Sequence, residues 1–170
     1  MKKIKEYVNK VDKKILVSIF LVVVFVVVVF ILKPARAENM NLTKCFSSTD
    51  QSASGYKLTS NYNIYSKDNI VSKVELKQVI ETTSTEVLNK FKKDLETQYS
   101  SNKSLYGGYE YNISESGSTL NVNVTIDYTN FNMGKFLSNN VAMQEFLNDK
   151  NEFTLDGAKK MYLLSGATCE

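Results

Sequence analysis

Histidine is absent from the chain, and only two of its 170 residues are cysteines. Without histidine, the Ser-His-Asp and Cys-His catalytic arrangements and the usual near-neutral general base are excluded. The two cysteines lack Cys-x-x-Cys spacing, and no histidine is available to complete a soft-metal site. Glycine-rich phosphate loops and EF-hand spacing are also missing. We therefore expect neither a metal nor a cofactor.

The charge is divided unevenly along the chain. The net charge is +3 overall, but the first 36 residues carry +6, so the remainder is mildly acidic at −3. A nucleic-acid-binding domain presents a large basic patch, and the mildly acidic part shows none. We therefore expect no nucleic-acid partner.

An apolar stretch covers residues 15–32, with Ser18 as its one polar residue. As a helix it would measure about 27 Å, close to the thickness of a bilayer's hydrocarbon core. Six lysines precede it, whereas only Lys33 and Arg36 follow closely. Because basic flanks stay in the cytoplasm, residues 1–14 are predicted to be a cytoplasmic tail and the rest of the chain to be extracellular. The sequence thus predicts a single-pass protein of the cell membrane, in contact with the lipid bilayer through residues 15–32.

Two other interpretations of this stretch remain open. Ala35-Arg36-Ala37 has the small-x-small form of a signal-peptidase site, so cleavage after Ala37 would release a secreted form. A pilin-type assembly helix is the other interpretation, but the stretch contains no acidic residue to align a bundle. A retained anchor is favoured because the apolar stretch is longer than the apolar region of a signal peptide, which has roughly 7–15 residues.

Residues 33–55 are polar, and we predict a tether that docks near its apolar exceptions Leu42, Cys45 and Phe46. From Tyr56 onward, apolar and polar residues alternate, which is typical of half-buried strands. The turn at Ser66-Lys67-Asp68-Asn69 predicts a hairpin with a second alternating run that ends at Thr82. A second hairpin is predicted from Tyr109 to Tyr128, with its turn at Ser116-Gly117.

Helical periodicity follows each hairpin. Thr83 and Glu86 have the spacing of a capping box, which predicts a helix over residues 85–101. A short helix over residues 141–148 is a weaker prediction. A final helix should begin after Thr154 and end before Gly166. Residues 56–170 are therefore predicted to form an α+β domain in the order β-β-α-β-β-α, with a four-stranded antiparallel sheet and its helices packed on one face.

Cys45 lies just before the first predicted strand, and Cys169 lies just after the last predicted helix. In an extracytoplasmic compartment, such an isolated pair most simply forms a disulfide. A redox-active thiol and metal ligation are the alternatives, and the spacing supports neither.

Carboxylates and tyrosines are the remaining candidates for chemistry or binding. Glu110, Glu115 and Asp127 surround the second hairpin and could in principle act as an acid–base pair, although solvated carboxylates are expected on a polar sheet face. Five tyrosines are predicted to line the covered face, either as core residues or as an aromatic cleft for glycan or peptide: Tyr56, Tyr62, Tyr109, Tyr111 and Tyr128. Tyr65 and Tyr106 are predicted nearer to edges or turns.

A family resemblance rests on residues 56–131. Its first hairpin (YKLTSNYNIYSKDNIVSKVELKQVIET), its helix (EVLNKFKKDLETQYSS) and the end of its second hairpin (NVNVTIDYTNFNM) resemble the YehR-like lipoproteins, small bacterial cell-envelope proteins. The tail Gly166-Ala167-Thr168-Cys169 is similar to that of membrane-anchored members. The resemblance implies an extracytoplasmic α+β domain held at a membrane, with no enzyme activity established for the family.

The chain departs from that family at its cysteine. Leu42-Thr43-Lys44-Cys45 has a lysine where a lipobox needs a small residue, so we expect a membrane span in place of lipidation. The sequence therefore favours a membrane-anchored, extracytoplasmic, non-catalytic domain that binds an envelope component, with a protein, peptide or glycan as partner. The alternative is an envelope enzyme that uses carboxylates or a reactive thiol.

Overall fold

The computed structural model of the chain describes residues 40–170, and this part contains six strands and three α-helices. The strands are β1 (Asn41–Gln51), β2 (Tyr56–Lys67), β3 (Ile70–Glu81), β4 (Tyr109–Ser116), β5 (Thr119–Asp127) and β6 (Thr168–Cys169). The α-helices are α1 (Thr85–Tyr106), α2 (Met133–Asn139) and α3 (Leu155–Leu164). Short 3-10 segments cover Ser52–Ser54 and Val141–Phe146.

The strands form one antiparallel sheet in the order β4-β5-β3-β2-β1-β6. Both predicted hairpins, β2–β3 and β4–β5, are confirmed. The prediction of four strands was wrong, because β1 and β6 extend the sheet beyond β2. The prediction of a polar tether was wrong over Asn41–Gln51, where the chain forms β1 along the whole of β2.

The misleading feature of β1 is the identity of its inward residues. Thr43 and Cys45 are buried and Ser47 is half-buried, so the alternation is present but involves small or polar side chains. Hydrophobic periodicity alone therefore misses this strand.

Register explains how alternation in the other strands builds the face that the helices cover. Tyr62, Leu76 and Val124 are successive cross-strand neighbours, and Tyr111 extends this row to β4. A second row joins Leu58, Ile80 and Leu120. Side chains directly opposite each other share a face, so the inward residues of four strands form one surface. It is apolar except in the intervening row, where the Gln78 amide donates to the Ser60 hydroxyl at 3.2 Å.

Helices cover that surface in two places. Tyr99 of α1 packs over Ile80, Tyr109, Leu120, Val122 and Val124. Ala158 and Tyr162 of α3 pack with Phe146 and Phe153 over Ile64 and Val74. All these strand residues belong to the inward rows, so the predicted placement of helices on one face is confirmed.

The helix ends follow local chemistry. Ser84, not the predicted Thr83, caps α1, and its hydroxyl accepts a hydrogen bond from the Val87 N–H at 3.3 Å. The helix also continues past residue 101 to Tyr106. The predicted cap at Thr154 is confirmed, with the Gly157 N–H donating to its hydroxyl at 2.9 Å.

The predicted disulfide is confirmed between Cys45 and Cys169. These residues face each other in β1 and β6, and their Cα atoms are 4.0 Å apart. The bond closes a loop with a sequence separation of 124 residues. It therefore links the first strand of the described chain to the last.

The predicted cytoplasmic tail and membrane span, residues 1–14 and 15–32, lie outside the described residues. Among residues 40–170, no helix is both long and apolar enough to cross a membrane.

Candidate functional site: the open face of the sheet

The face of the sheet opposite the helices is rich in amide and hydroxyl side chains, and we call it the open face. Alternation places every second residue of each strand there. Five asparagines from β2, β4 and β5 lie on this face: Asn61, Asn63, Asn112, Asn121 and Asn123. The sequence-based prediction of one covered face and one wet face is confirmed.

One row of neighbouring residues crosses the open face from edge to edge. Pairing places in succession Thr168, Phe46, Asn61, Lys77, Asn123 and Asn112. Every strand contributes one residue to the row. Three of its members are asparagines, whose amides both donate and accept hydrogen bonds, and Lys77 lies between Asn61 and Asn123.

Phe46 is the most unusual member of the row, because its side chain is 46% exposed on a strand. It borders a shallow depression of about 550 Å³, to which Lys44, Asn61, Asn63 and Glu170 also contribute. The position of β6 completes this depression, since the backbone of Glu170 pairs with that of Lys44 in both directions, at 2.9 and 3.1 Å. The depression has the volume of a ligand site, which is typically about 300–1,000 Å³.

A charged cluster borders the asparagines on the open face. The Tyr65 hydroxyl and the Lys73 ammonium each donate to Glu75 at 2.8 Å. The ammonium also lies 4.1 Å from the centre of the Tyr65 ring. These contacts hold the ring of Tyr65 in place beside the asparagines.

The same contacts shift the ionisation of all three groups. The hydrogen bond from Lys73 holds the pKa of Glu75 below its ordinary value, although partial burial opposes this shift. The hydrogen bond that Tyr65 donates to Glu75 raises the pKa of Tyr65. The hydrogen bond that Lys73 donates to Glu75 raises the pKa of Lys73. The cluster is therefore stabilised in the state with Glu75 ionised, Lys73 charged and Tyr65 neutral.

The three carboxylates considered for catalysis have separate partners. Glu110 forms an ion pair with Lys103 at 2.6 Å, and Glu115 forms one with Lys92 at 3.4 Å. Asp127 accepts hydrogen bonds from the Thr129 N–H at 3.0 Å and the Asn130 amide at 2.6 Å, and the bonds from Thr129 are the main cause of its lowered pKa. Alternation along β4 also points Glu110 and Glu115 to opposite faces of the sheet.

The cysteines and acidic residues form no evident metal centre. Between residues 40 and 170, no group of three or more cysteine, aspartate or glutamate side chains is placed to hold a metal ion. Both cysteine sulfurs are used in the disulfide.

Four of the five tyrosines predicted on the covered face pack in or against the core, and the ring centre of the fifth, Tyr56, lies 4.9 Å from that of Phe91 of α1. Tyr62 lies against Tyr162 with ring centres 4.3 Å apart, and Tyr128 lies 5.3 Å from Phe153. Tyr106, predicted near an edge or turn, is instead buried at the end of α1. The space enclosed among Tyr106, Tyr109 and Tyr128 is only about 140 Å³, smaller than a typical ligand site.

Sequence reasoning placed Phe46 where a tether docks and did not assign it to a sheet face. Its role depends on the pairing of β1 with β2, because only that register puts Phe46 beside Asn61. The local sequence shows only that Phe46 directly follows Cys45. Adjacent residues of a strand point to opposite faces, so burial of one goes with exposure of the other.

Comparisons with known proteins give one structural likeness. No known protein family matches the chain, and no curated protein matches it. The chain is similar to a protein from Streptococcus pneumoniae TIGR4 whose structure was determined by NMR, with a TM-score of 0.46 and 19% sequence identity. The likeness covers 82% of this chain and 90% of that one. The resemblance to the YehR-like lipoproteins stays a prediction.

Proposed function

We propose that the chain is a non-catalytic binding protein of the cell envelope, and that its open face binds a neutral, hydroxyl-rich polymer such as a glycan strand. The observation that carries this proposal is the depression beside Phe46, in which an exposed ring lies next to the side-chain amides of Asn61 and Asn63. Amides pair with sugar hydroxyls as donors and as acceptors, while the ring offers an apolar surface to the face of a sugar.

The composition of the open face favours a glycan over a protein partner. Protein–protein interfaces are enriched in tryptophan, arginine and other large anchor residues. The chain has no tryptophan, and no arginine occurs after Arg36. Asparagine, serine and threonine make up about half of the open face, and lysines and carboxylates make up most of the rest, so the face has many hydrogen-bonding groups and few apolar anchors.

The environment of the carboxylates supports a non-catalytic role. Acid–base catalysis by two carboxylates needs both of them at one reacting bond. Glu110 and Glu115 are engaged by different lysines, and Asp127 is held by its own turn. The proposed binding role does not require these three carboxylates to leave their present partners.

The proposed location is the outer side of the cell membrane. A disulfide persists in oxidising compartments, and the Cys45–Cys169 bond fits such a compartment. The predicted membrane span over residues 15–32 would keep the domain close to the envelope polymer.

The test is a binding assay with the full-length chain in detergent micelles. Isolated peptidoglycan sacculi and neutral oligosaccharides on an array serve as probes. We expect the wild-type chain to bind, and Phe46→Ala to weaken binding by roughly 2- to 12-fold, as expected for the loss of one aromatic contact. Asn61→Ala should weaken binding further when combined with Phe46→Ala.

Leu164→Ala is the matched control, because Leu164 is also an exposed apolar side chain, at 69%, but lies on α3 away from the open face. This variant should bind as the wild type does. Equal binding by Phe46→Ala and wild type would refute the assignment of the open face, and failure of the wild type on every glycan probe would refute the glycan class.

A further inference from the structure

Strand β4 ends the sheet on the side away from the disulfide, and no other strand of the described chain pairs with its outer edge. The strand has eight residues and contains no proline, lysine or bulge along its ladder with β5. Proline, lysine and bulges are among the features that protect an edge from pairing. One other such feature is present, the charged Glu115 on the covered face, and its carboxylate is paired with Lys92. The edge therefore has the length and regularity needed to accept a further strand.

The ladder shows which backbone groups remain open. The Asp127 N–H donates to the Gly108 carbonyl at 2.7 Å, and these residues lie opposite each other in the register of β4 and β5. In an antiparallel pair, the residues that bond to the partner alternate with residues that point away from it. The even-numbered residues of β4 therefore bond to β5, and the N–H and C=O groups of Tyr109, Tyr111, Ile113 and Glu115 point outward.

A groove runs beside these open groups. Its floor is formed by Tyr111, Asn112 and Ile113, and its wall by Glu96, Thr97, Ser100 and Lys103 of α1. Its volume is about 600 Å³. An extended peptide that lies between an edge strand and a helix is a known mode of recognition, in which backbone hydrogen bonds give affinity and alternate side chains give specificity.

A second copy of the chain fits this edge poorly. Helix α1 packs over β4, since the ring centre of Tyr99 lies 6.0 Å from that of Tyr109 and 5.8 Å from that of Tyr111. Pairing of two β4 strands would bring them to about 4.8 Å. Their covering helices need about 8–10 Å between axes. The groove therefore favours a lone strand over a strand that carries its own helix.

The charges of the groove indicate what such a strand should contain. Lys103 is already paired with Glu110 at 2.6 Å. Glu96 is exposed and forms no hydrogen bond or ion pair with another described residue. A lysine or arginine on the added strand would meet this free carboxylate. Opposite Tyr111 and Ile113, a β-branched or aromatic side chain would make a favourable cross-strand pair.

We propose that the edge of β4 binds an extended basic peptide by strand addition, with an apolar side chain over Tyr111 and Ile113 and a lysine or arginine at Glu96. This surface differs from the depression beside Phe46, so the two binding proposals stand or fall separately. The peptide's own N–H and C=O groups would pair with those of Tyr111 and Ile113.

The test uses a phage library of random eight-residue peptides, selected against the full-length chain in detergent micelles. Fluorescence polarisation then gives the Kd of each selected peptide. We expect peptides that have at least one lysine or arginine and no central proline. Binding should slow hydrogen exchange at the amides of Tyr111 and Ile113 at least fivefold.

Two variants examine the two halves of the proposal. Ile113→Pro removes one outward N–H without removing a bond to β5, and it should weaken binding at least tenfold. Glu96→Lys alters only an exposed helical side chain, and it should weaken binding at least fivefold, with the loss reduced at high salt.

Matched controls lie elsewhere on the domain. Ser48→Pro removes a backbone N–H that points away from β2 at the other edge of the sheet. Lys44 uses its backbone groups to bond to Glu170 on that side, and Ser48, an even number of residues along the same strand, directs its N–H the same way. Asp149→Lys reverses an exposed charge outside the groove. Neither control should change the Kd by more than twofold.

Three results would overturn the proposal. The first is a library that yields no binders. The second is binding that Ile113→Pro does not weaken and that leaves hydrogen exchange at Tyr111 and Ile113 unchanged. The third is occupation of the edge by a second copy of the chain. A doubling of the mass that is lost in Ile113→Pro would reveal the second copy. If Ile113→Pro fails to fold, Glu96→Lys and the exchange measurement on the wild type still decide the outcome.

Discussion

At one edge of the sheet, β6 is covalently tied to β1, whereas at the other edge β4 is held without a covalent link, by its pairing with β5 and by the packing and ion pairs of α1. We call these regions the disulfide end and the helix end. The disulfide end brings distant parts of the chain together, because β1 and β6 are the first and last elements described. The helix end is built from consecutive elements, α1, β4 and β5.

The two ends of the sheet resist opening by different means. Contacts between sequence neighbours close short loops at little entropic cost, so packing alone can hold the helix end. Joining residues separated by 124 positions requires closure of a long loop, and the disulfide limits that cost by constraining the unfolded chain. We therefore expect the disulfide end to depend on one covalent bond and the helix end on many small contacts.

The largest expected effect comes from removal of the disulfide. Cys45→Ala with Cys169→Ala should lower the free energy of unfolding by about 4–5 kcal/mol in the chain-entropy account. Because typical domains have only about 5–15 kcal/mol in total, the variant should be marginally stable. Urea unfolding measures the loss, with reduced wild-type protein as the control.

Hydrogen exchange on the same variant locates the loss. Protection in α1, β4 and β5 should fall only as far as the free energy of global unfolding falls, while β1 and β6 should lose more because they also open locally. A loss of less than 1 kcal/mol, or uniform loss of protection, would contradict the contrast between the two ends.

The helix end is tested by Leu120→Ala. Leu120 is fully buried beneath α1, so removal of its side chain leaves a cavity. The expected loss is about 3 kcal/mol, within the 2–5 kcal/mol of comparable core substitutions. Val141→Ala is the control for an exposed apolar residue, at 76% exposure, and should change stability by less than about 0.5 kcal/mol.

Sequence reasoning recovered the parts of the fold that hydrophobic alternation specifies. Strands β2, β3 and β5 carry large apolar residues on one side, such as Ile64, Val74 and Leu120, and their hairpins were predicted correctly. Strand β1 was missed because its inward residues are small or polar. Strand β6 has two residues, too few for any period, and its pairing depends on the disulfide partner in β1.

Long-range contacts also determine details that local rules misjudge. A glycine inside a helix is ordinarily destabilising. At Gly157 of α3, however, a Cβ atom would collide with the Phe146 carbonyl oxygen, so glycine is what allows α3 to approach the preceding 3-10 segment. The open face was predictable as polar, but the neighbours of Phe46 were not, since they follow from the pairing of β1.

A smaller effect separates local from tertiary stabilisation at the helix end. Ser84→Ala removes the acceptor for the Val87 N–H and should cost about 1 kcal/mol. Thr83→Ala, at the neighbouring position that sequence reasoning selected as the cap, should cost little. Thermal unfolding of the two variants compares them directly, and an equal or larger loss in Thr83→Ala would show that the hydroxyl of Ser84 is not the effective cap.

The smallest expected effect lies between the two ends, in the cluster of Tyr65, Lys73 and Glu75. The pKa of Glu75 is lowered in the folded state, chiefly by the hydrogen bond from Lys73, so its stabilisation is present above the unfolded pKa and is lost as the pH falls through the folded one. The pKa values of Tyr65 and Lys73 are raised, so their contribution is lost as the pH rises through the folded values. Stability should therefore be flat near neutral pH and decline on both sides.

Glu75→Gln should reduce both declines without abolishing them, because it removes the partner that shifts the pKa values of all three groups. Buried tyrosines such as Tyr99 and Tyr128, whose pKa values are raised by desolvation, maintain the rest of the alkaline decline, and Asp127, whose pKa is lowered by hydrogen bonds from Thr129, maintains part of the acid decline. Glu81→Gln, an exposed carboxylate on the same strand, should leave both declines in place. Urea midpoints at pH 3, 7 and 11 provide the measurement. Because the cluster is partly exposed, water and salt screen it, and differences should stay well below those at either end of the sheet. A large effect would mean that the open face, rather than the two ends, limits the stability of the domain.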